Sequence, residues 1–138
     1  MKNQVLSIGQ MKSLAELGVD TSQASMCWIK NTDGDETENM YMLSVHNEWC
    51  YEMSCLSPVP TFTLQDIIKL LPDKIKGYGL SWYIGDGLFQ YDKTNCYDGL
   101  DILHSYSFNE NISILDVAYH MLVWVIDNKY LIPIASNV

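Results

Sequence analysis

Three histidines and a surplus of acids are the residues of this sequence whose types could carry chemistry. Asp116 and His120 lie four positions apart, so a helix would place them on one face, with Asp127 two turns beyond His120. A carboxylate beside an imidazole can act as a general base or help to hold a metal ion. The ordinary alternative is the exposed stripe of a helix that is otherwise buried. We therefore assign no catalytic residue.

The alternative hypothesis for function follows from the same residues. It is a small enzyme or ligand-binding domain that uses Asp116 and His120, with His46 or His104 brought close to them in space. A pocket in which histidines and acids converge would favour this hypothesis, whereas a flat acidic surface would favour a binding protein.

Histidine and cysteine also occur together, since His46, Cys50 and Cys55 have a His-x3-Cys-x4-Cys spacing. Structural zinc sites more often combine a tight pair of cysteines with a second such pair or with two histidines. The other two cysteines, Cys27 and Cys96, complete no motif of this kind. The sequence therefore predicts free, reduced thiols, with no metal site and no cofactor.

The charged residues are distributed unevenly along the chain. Eight lysines, no arginine and 17 acids give a formal net charge of −9. Between Lys30 and Lys69 there are seven acids and no basic residue. Four of the acids crowd one short stretch: Asp33, Asp35, Glu36 and Glu38. A run of charge usually marks a solvated surface, and the functional alternative is a contact surface for a basic protein.

The charge also argues against several classes of function. Binding to DNA or RNA normally requires a basic footprint, and bidentate contacts to phosphate favour arginine. Anionic membranes are unsuitable partners for the same reason. The N-terminal residues, MKNQVLSIGQMK, contain no long apolar run, so we expect no signal peptide or membrane anchor and a cytoplasmic location. The leading hypothesis is a non-catalytic, acidic, protein-binding protein of the accessory or inhibitor kind, of undetermined oligomeric state.

Three helices position these residues, and each begins with a similar capping pattern. The capping pairs are Ser7 with Gln10, Thr63 with Asp66, and Ser113 with Asp116. They predict helices over residues 8–17, 64–71 and 113–131. The third helix is apolar nearly all round, with Leu115, Tyr119, Leu122 and Ile126 on one face. Such a helix is usually buried on more than one side, so we expect it at the centre of the core.

Alternating patterns predict a first hairpin, which joins a strand at 26–29 to a strand at 41–46. In the second strand Tyr41, Leu43 and Val45 alternate with the intervening side chains, as in a half-buried strand. The acids at 33–38 would then lie at the tip of this hairpin. They are the residues that we expect to bind a partner.

A second hairpin is predicted at 80–91, around the tight turn at 85–87, and a last strand at 105–108. Pro58 and Pro60 are expected to interrupt any strand before the second helix, and residues 74–79 to form a turn. This order of elements favours the α+β class. We predict one domain over 1–138, with an antiparallel sheet of about four to five strands and three helices.

Three blocks of the sequence resemble a known group of proteins. They are LAELGVDTSQASMCW at 14–28, PTFTLQDIIKLLP at 60–72 and LDVAYHMLVWVIDNKYL at 115–131. Together they resemble small uncharacterised proteins of gut Bacteroides-type bacteria and of their phages or other mobile elements. The resemblance implies a cytoplasmic accessory protein, and it transfers no catalytic residue. Residues 30–58, which include the acidic stretch, lie outside these blocks.

Overall fold

A computed structural model describes residues 4–30, 41–47, 51, 58–95 and 99–131. These residues contain three helices and two antiparallel sheets, which confirms the α+β class. The helices are α1 (Ile8–Glu16), α2 (Leu64–Leu70) and α3 (Ile114–Asp127). The strands are β1 (Met26–Lys30), β2 (Tyr41–Val45), β3 (Val59–Thr61), β4 (Lys74–Ile75), β5 (Tyr78–Tyr83), β6 (Leu88–Asn95) and β7 (Gly99–Ser107).

The strands form two sheets, where the sequence predicted one sheet of about four to five strands. One sheet has the order β2-β1-β3, and the other has the order β4-β5-β6-β7. Period-two patterns identify strands, but they do not specify which distant strands share a sheet.

The chain divides into two compact units, and the boundary falls within α2, between Asp66 and Ile67. The first unit contains α1 and β1 to β3, and the second contains β4 to β7 and α3. The single domain over 1–138 stays a prediction.

The first unit begins with α1, whose two ends follow the predicted capping rules. The Ser7 hydroxyl accepts from the Gln10 N–H, and the Gln10 side chain accepts from the Ser7 N–H, which completes the capping box. At the other end Gly18 has a φ of 91° and donates to Ala15, while Val19 donates to Leu14. This pair of bonds is the Schellman motif, which requires positive φ at the position of Gly18.

β1 lies at the centre of the first sheet, antiparallel to both neighbours. Its side chains Cys27 and Ile29 are buried. The N-terminal segment is fixed nearby, because the Leu6 carbonyl accepts hydrogen bonds from the Trp28 indole at 3.0 Å and the Thr61 hydroxyl at 2.6 Å.

β3 is a strand where the sequence predicted an interruption at Pro58 and Pro60. Pro60 lies opposite Cys27, and its neighbours Val59 and Thr61 lie opposite Trp28 and Met26. Proline cannot donate to a ladder, and it is tolerated in strands that lie at the edge of a sheet. The prediction was wrong because β3 is such a strand and uses proline at only one of its three positions.

The first two strands of the second unit form a tight hairpin where the sequence predicted only a turn at 74–79. Ile75 pairs with Tyr78, and the two residues between them, Lys76 and Gly77, have φ values of 52° and 88°. Positive φ at both central positions is typical of the type I′ turn, which closes two-residue hairpins. A two-residue turn, the shortest common hairpin connection, therefore joins β4 to β5.

β5 and β6 pair as in the predicted hairpin at 80–91. β7 pairs with β6 to complete an antiparallel meander, and it begins at Gly99, well before the predicted strand at 105–108. Gly87 ends the turn between β5 and β6 with a φ of 66°, and its carbonyl accepts from the Phe108 N–H at 2.8 Å. A Cβ atom at Gly87 would collide with the Phe108 carbonyl oxygen, so only glycine fits there.

α3 packs against β6 and β7, as expected for a helix at the core. The Ser113 hydroxyl accepts from the Asp116 N–H at 3.1 Å, which confirms the predicted start. Six side chains of the helix are buried, namely Leu115, Val117, Ala118, Met121, Leu122 and Val125. The face that was predicted to be buried included Tyr119 and Ile126, but these two side chains are only half-buried. The buried face therefore lies further round the helix than predicted. Regular helix ends at Asp127 rather than Leu131.

Candidate functional site

The predicted acidic hairpin is present as two paired strands. β1 and β2 pair in antiparallel register from Met26 opposite Val45 to Lys30 opposite Tyr41. The stretch 31–40 connects these two strands, so Asp33, Asp35, Glu36 and Glu38 belong to the hairpin connection. The four acids lie outside the residues that the structure describes, and their role in partner binding stays a prediction.

β2 is more exposed than the predicted half-buried strand. Met42 and Val45 are 60% and 59% exposed, and Tyr41 is 36% exposed. Only Leu43 and Ser44 are half-buried. The alternation of Tyr41, Leu43 and Val45 was correct as a strand signal, but it did not indicate how much of each face the unit covers. Three large apolar side chains are thereby exposed in the strand that follows the acidic stretch in the sequence.

His46 follows β2, and its side chain connects the end of that strand to the residues just before β1. Its Nδ1 lies 2.8 Å from the Ala24 carbonyl oxygen, and its Nε2 lies 2.6 Å from the Tyr51 hydroxyl. A carbonyl oxygen only accepts, so Nδ1 carries the proton in the neutral ring and Nε2 accepts from Tyr51. An open depression of about 350 Å³ lies here, lined by Ser22, Gln23, Ala24, His46, Asn47 and Tyr51. None of the described residues that line it is an acid or a lysine.

Asp66, one of the seven acids between Lys30 and Lys69, has a structural role. Its carboxylate accepts from the Ser25 N–H at 3.0 Å, the Ser25 hydroxyl at 2.5 Å and the Thr63 N–H at 3.0 Å. Burial acts to raise the pKa of Asp66, but the hydrogen bonds from Ser25 and Thr63 outweigh burial and lower it. This acid therefore fixes the start of α2 and the approach to β1, and it is not part of an exposed acidic surface.

The stripe on α3 lies where the helical spacing predicted. His120 and Asp127 are exposed, and Asp116 is half-buried at the start of the helix. The His120 ring lies 5.3 Å from the ring of Tyr119 and 6.0 Å from that of Tyr106, between centroids.

His104 lies in β7 and stacks on Trp124 of α3, with ring centroids 4.1 Å apart and planes 4° apart. It also contacts Tyr106 edge-on at 4.8 Å. Its Nε2 is buried and has no hydrogen-bond partner among the described residues, and burial lowers the pKa of His104. The alternative hypothesis expected His104 or His46 near His120. The structure brings His104 and His120 to the same tyrosine, Tyr106, and places His46 in the first unit.

A buried polar network in the second sheet was not found from the sequence. Asp92 accepts from the Ser81 hydroxyl at 3.1 Å, the Tyr83 hydroxyl at 2.9 Å and the Gln90 amide at 2.7 Å. Ser105 donates to the Gln90 carbonyl oxygen at 2.9 Å. The bond to Asp92 raises the pKa of Tyr83. The available signal was the repeat of polar residues at alternate positions of two neighbouring strands, which places them on one face.

Metal-ligating side chains do not converge in the described part of the chain, where no three His, Cys, Asp or Glu residues are arranged to hold an ion. The thiol of Cys27 is buried and lies 3.9 Å from the Val45 carbonyl oxygen. Cys50, Cys55 and Cys96 lie outside the described residues. Among the described helices, none is long and apolar enough to cross a membrane.

Comparisons of the chain with protein-family models, with curated proteins and with solved structures find no match.

Proposed function

We propose that this protein is a non-catalytic binding protein that engages a basic protein through its β1–β2 hairpin. The observation that supports the proposal is the exposure of Tyr41, Met42 and Val45 on the strand that directly follows the acidic stretch 31–40. Exposed apolar side chains beside a cluster of charge are typical of a surface that another protein covers.

The two parts of this surface have different physical roles. The acids attract a basic partner over distances of about 10 Å at moderate salt, and this steering raises the rate of encounter. The apolar side chains of β2 lose contact with water when the partner covers them, which slows dissociation. The chain from residue 31 to residue 68 holds no basic residue that would weaken this field.

The proposal includes a cytoplasmic location and an accessory role on a mobile element of a gut Bacteroides-type bacterium. Support for both the location and the accessory role is the resemblance of the three sequence blocks.

The experiment compares two variants with equal net charge. The hairpin variant carries Asp33→Asn, Asp35→Asn, Glu36→Gln and Glu38→Gln. The matched variant carries four substitutions at exposed acids elsewhere: Glu16→Gln, Asp86→Asn, Glu110→Gln and Asp127→Asn. Each removes four negative charges from −9 and leaves −5.

Each immobilised protein is exposed to a bacterial lysate, and a protein captured by the wild type is then purified. We expect the hairpin variant to bind this partner about tenfold or more weakly, because it lacks the steering charges. The matched variant should bind nearly as well as the wild type. Equal binding by all three proteins would contradict the proposal.

A further inference from the structure

Exposed apolar side chains gather at one end of the second unit, where β5 turns into β6. Ile84 lies in this turn and is 77% exposed, the largest value among the large apolar side chains of the described residues. Trp82 is 43% exposed, although its ring stacks on the buried ring of Phe89 with centroids 6.1 Å apart. Apolar surface that stays in contact with water in this way often marks a place where another molecule binds.

A second segment lies against this turn. The Phe108 N–H donates to the Gly87 carbonyl at 2.8 Å, which holds the end of β7 beside the turn. Asn109 closes the loop that follows, because its N–H donates to the Ile112 carbonyl at 2.9 Å and its side-chain oxygen accepts from the Ile112 N–H at 3.0 Å. The Ile112 side chain is 45% exposed. We call the three exposed side chains of the turn and the loop the apolar end: Trp82, Ile84 and Ile112.

Negative charge accompanies the apolar end. Asp86 lies in the turn and Glu110 lies in the loop, and both side chains are exposed. The chain holds no lysine from residue 77 to residue 92 or from residue 94 to residue 128, and it has no arginine. No lysine or arginine of these two segments therefore offsets the charge of the two acids.

The lysines on either side of the turn lie at the opposite end of the unit. The Lys93 Nζ is 4.5 Å from the ring centroid of Tyr78, at the start of β5. Lys76, just before β5, has its Nζ 5.4 Å from the ring centroid of Tyr130, beyond the end of α3. A strand rises by about 3.4 Å per residue, so β5 separates these lysines from the turn by about 17 Å. Salt screens charge over about 8 Å at physiological ionic strength, and the apolar end therefore stays acidic.

We propose that the apolar end binds a segment of another protein that carries lysine or arginine beside apolar side chains. The apolar side chains of that segment cover Trp82 and Ile84, and its cations lie within reach of Asp86 and Glu110. The inference goes beyond the proposed function, because these residues belong to the second unit and the β1–β2 hairpin belongs to the first. A second copy of this chain is a poorer occupant, since it would bring its own two acids to the same place.

The test uses a capped helical peptide of leucine and lysine as the probe, with a control peptide in which glutamate replaces every lysine. We expect saturable binding of the lysine peptide at physiological salt, and binding about tenfold weaker or less for the glutamate peptide. Ile84→Ser should weaken binding of the lysine peptide by about fivefold or more, because it removes apolar surface that the peptide covers. Leu100→Ser is the matched control. Leu100 is 48% exposed at the far end of β7, so its substitution should change binding by less than about twofold.

The hairpin variant and the matched variant test the acids of the apolar end at equal net charge. The matched variant lacks Asp86 and Glu110, whereas the hairpin variant keeps both, and each has lost four of the nine net negative charges. The lysine peptide should bind the matched variant about threefold or more weakly than it binds the hairpin variant, because only the hairpin variant has acids beside the exposed apolar side chains.

Several results would overturn the inference: no saturable binding of the lysine peptide, equal binding of the two peptides, equal binding by Ile84→Ser and Leu100→Ser, or equal binding by the two charge variants. Two other occupants would also overturn it. Self-association of the wild type that Ile84→Ser abolishes would show that a second copy covers the apolar end. Adsorption of the wild type to phosphatidylcholine vesicles that the same substitution abolishes would show that a lipid surface covers it.

Discussion

The carboxylate of Asp66 accepts both the backbone N–H and the hydroxyl of Ser25, across 41 positions of sequence. The same carboxylate caps α2 through Thr63. Asp66→Asn should lower the free energy of unfolding by about 1–3 kcal/mol, because the amide cannot accept all of these bonds. Urea denaturation checks this value, with Asp86→Asn, at an exposed turn, as the control that should change it little.

The lowered pKa of Asp66 also predicts a dependence on pH. Because its pKa in the folded protein lies below the ordinary value of 3.8, its contribution to stability is full above that value and is lost as pH falls through the folded pKa. The difference in stability between the wild type and Asp66→Asn should therefore shrink in acid. A difference that stays constant down to about pH 2 would show that the charge of Asp66 is not what matters.

α1 and α3 end in the same motif with different residues. After α3, Lys129 donates to Ile126 and Tyr130 donates to Val125, which repeats the bonds that Gly18 and Val19 make after α1. Lys129 holds this position with a φ of 63°, which is strained for a residue with a side chain. Lys129→Gly should raise the free energy of unfolding by up to about 1 kcal/mol, and Gly18→Ala should lower it by about as much. Thermal unfolding of both variants checks the two signs, and the account fails if Lys129→Gly destabilises.

α3 should be a centre of stability for the second unit. Leu122 is fully buried, whereas His120, two positions earlier, is exposed. Leu122→Ala should cost about 2–5 kcal/mol, and His120→Ala should cost well under about 1 kcal/mol. Denaturant midpoints in the reverse order would mean that the helix is rotated from the position described.

His104 should make stability depend on pH near neutrality. Its pKa is lowered by burial against Trp124 and Tyr106, so the folded protein binds a proton less readily than the unfolded chain. Stability is then full above the ordinary pKa of about 6.5 and falls as pH drops below it. Urea midpoints measured from about pH 8 to pH 5 should show this fall in the wild type and in His120→Gln, and a weaker fall in His104→Phe. Identical pH profiles for the wild type and the two variants would contradict this role of His104.

Much of the local structure could be predicted from the sequence because local chemistry determines it. Ser7, Thr63 and Ser113 begin helices since each hydroxyl can accept an N–H three residues ahead. Gly18 ends α1 because it tolerates positive φ. A prediction failed where distant contacts decide, as at Pro60, which an edge position tolerates. The predicted cap between Thr63 and Asp66 is present, and the bonds from Ser25 to Asp66 are an additional contact that local sequence does not indicate.

The candidate site was predicted in part. The uneven charge and the pairing of β1 with β2 could be inferred from residue types and alternation. The exposure of Met42 and Val45 could not, because it depends on which elements cover the faces of β2. The Asp92 network was missed for a similar reason, since the burial of Gln90 and Asp92 depends on which elements cover that face of the second sheet.

The central claim is that the charge of the hairpin, rather than net charge, drives association with the partner. Its most direct test is the association rate constant of the captured partner, measured at increasing salt for the wild type, the hairpin variant and the matched variant. The account predicts a steep decrease with salt for the wild type and the matched variant, and a nearly flat dependence for the hairpin variant, because salt screens exposed charges. The same steep slope for all three proteins would contradict it.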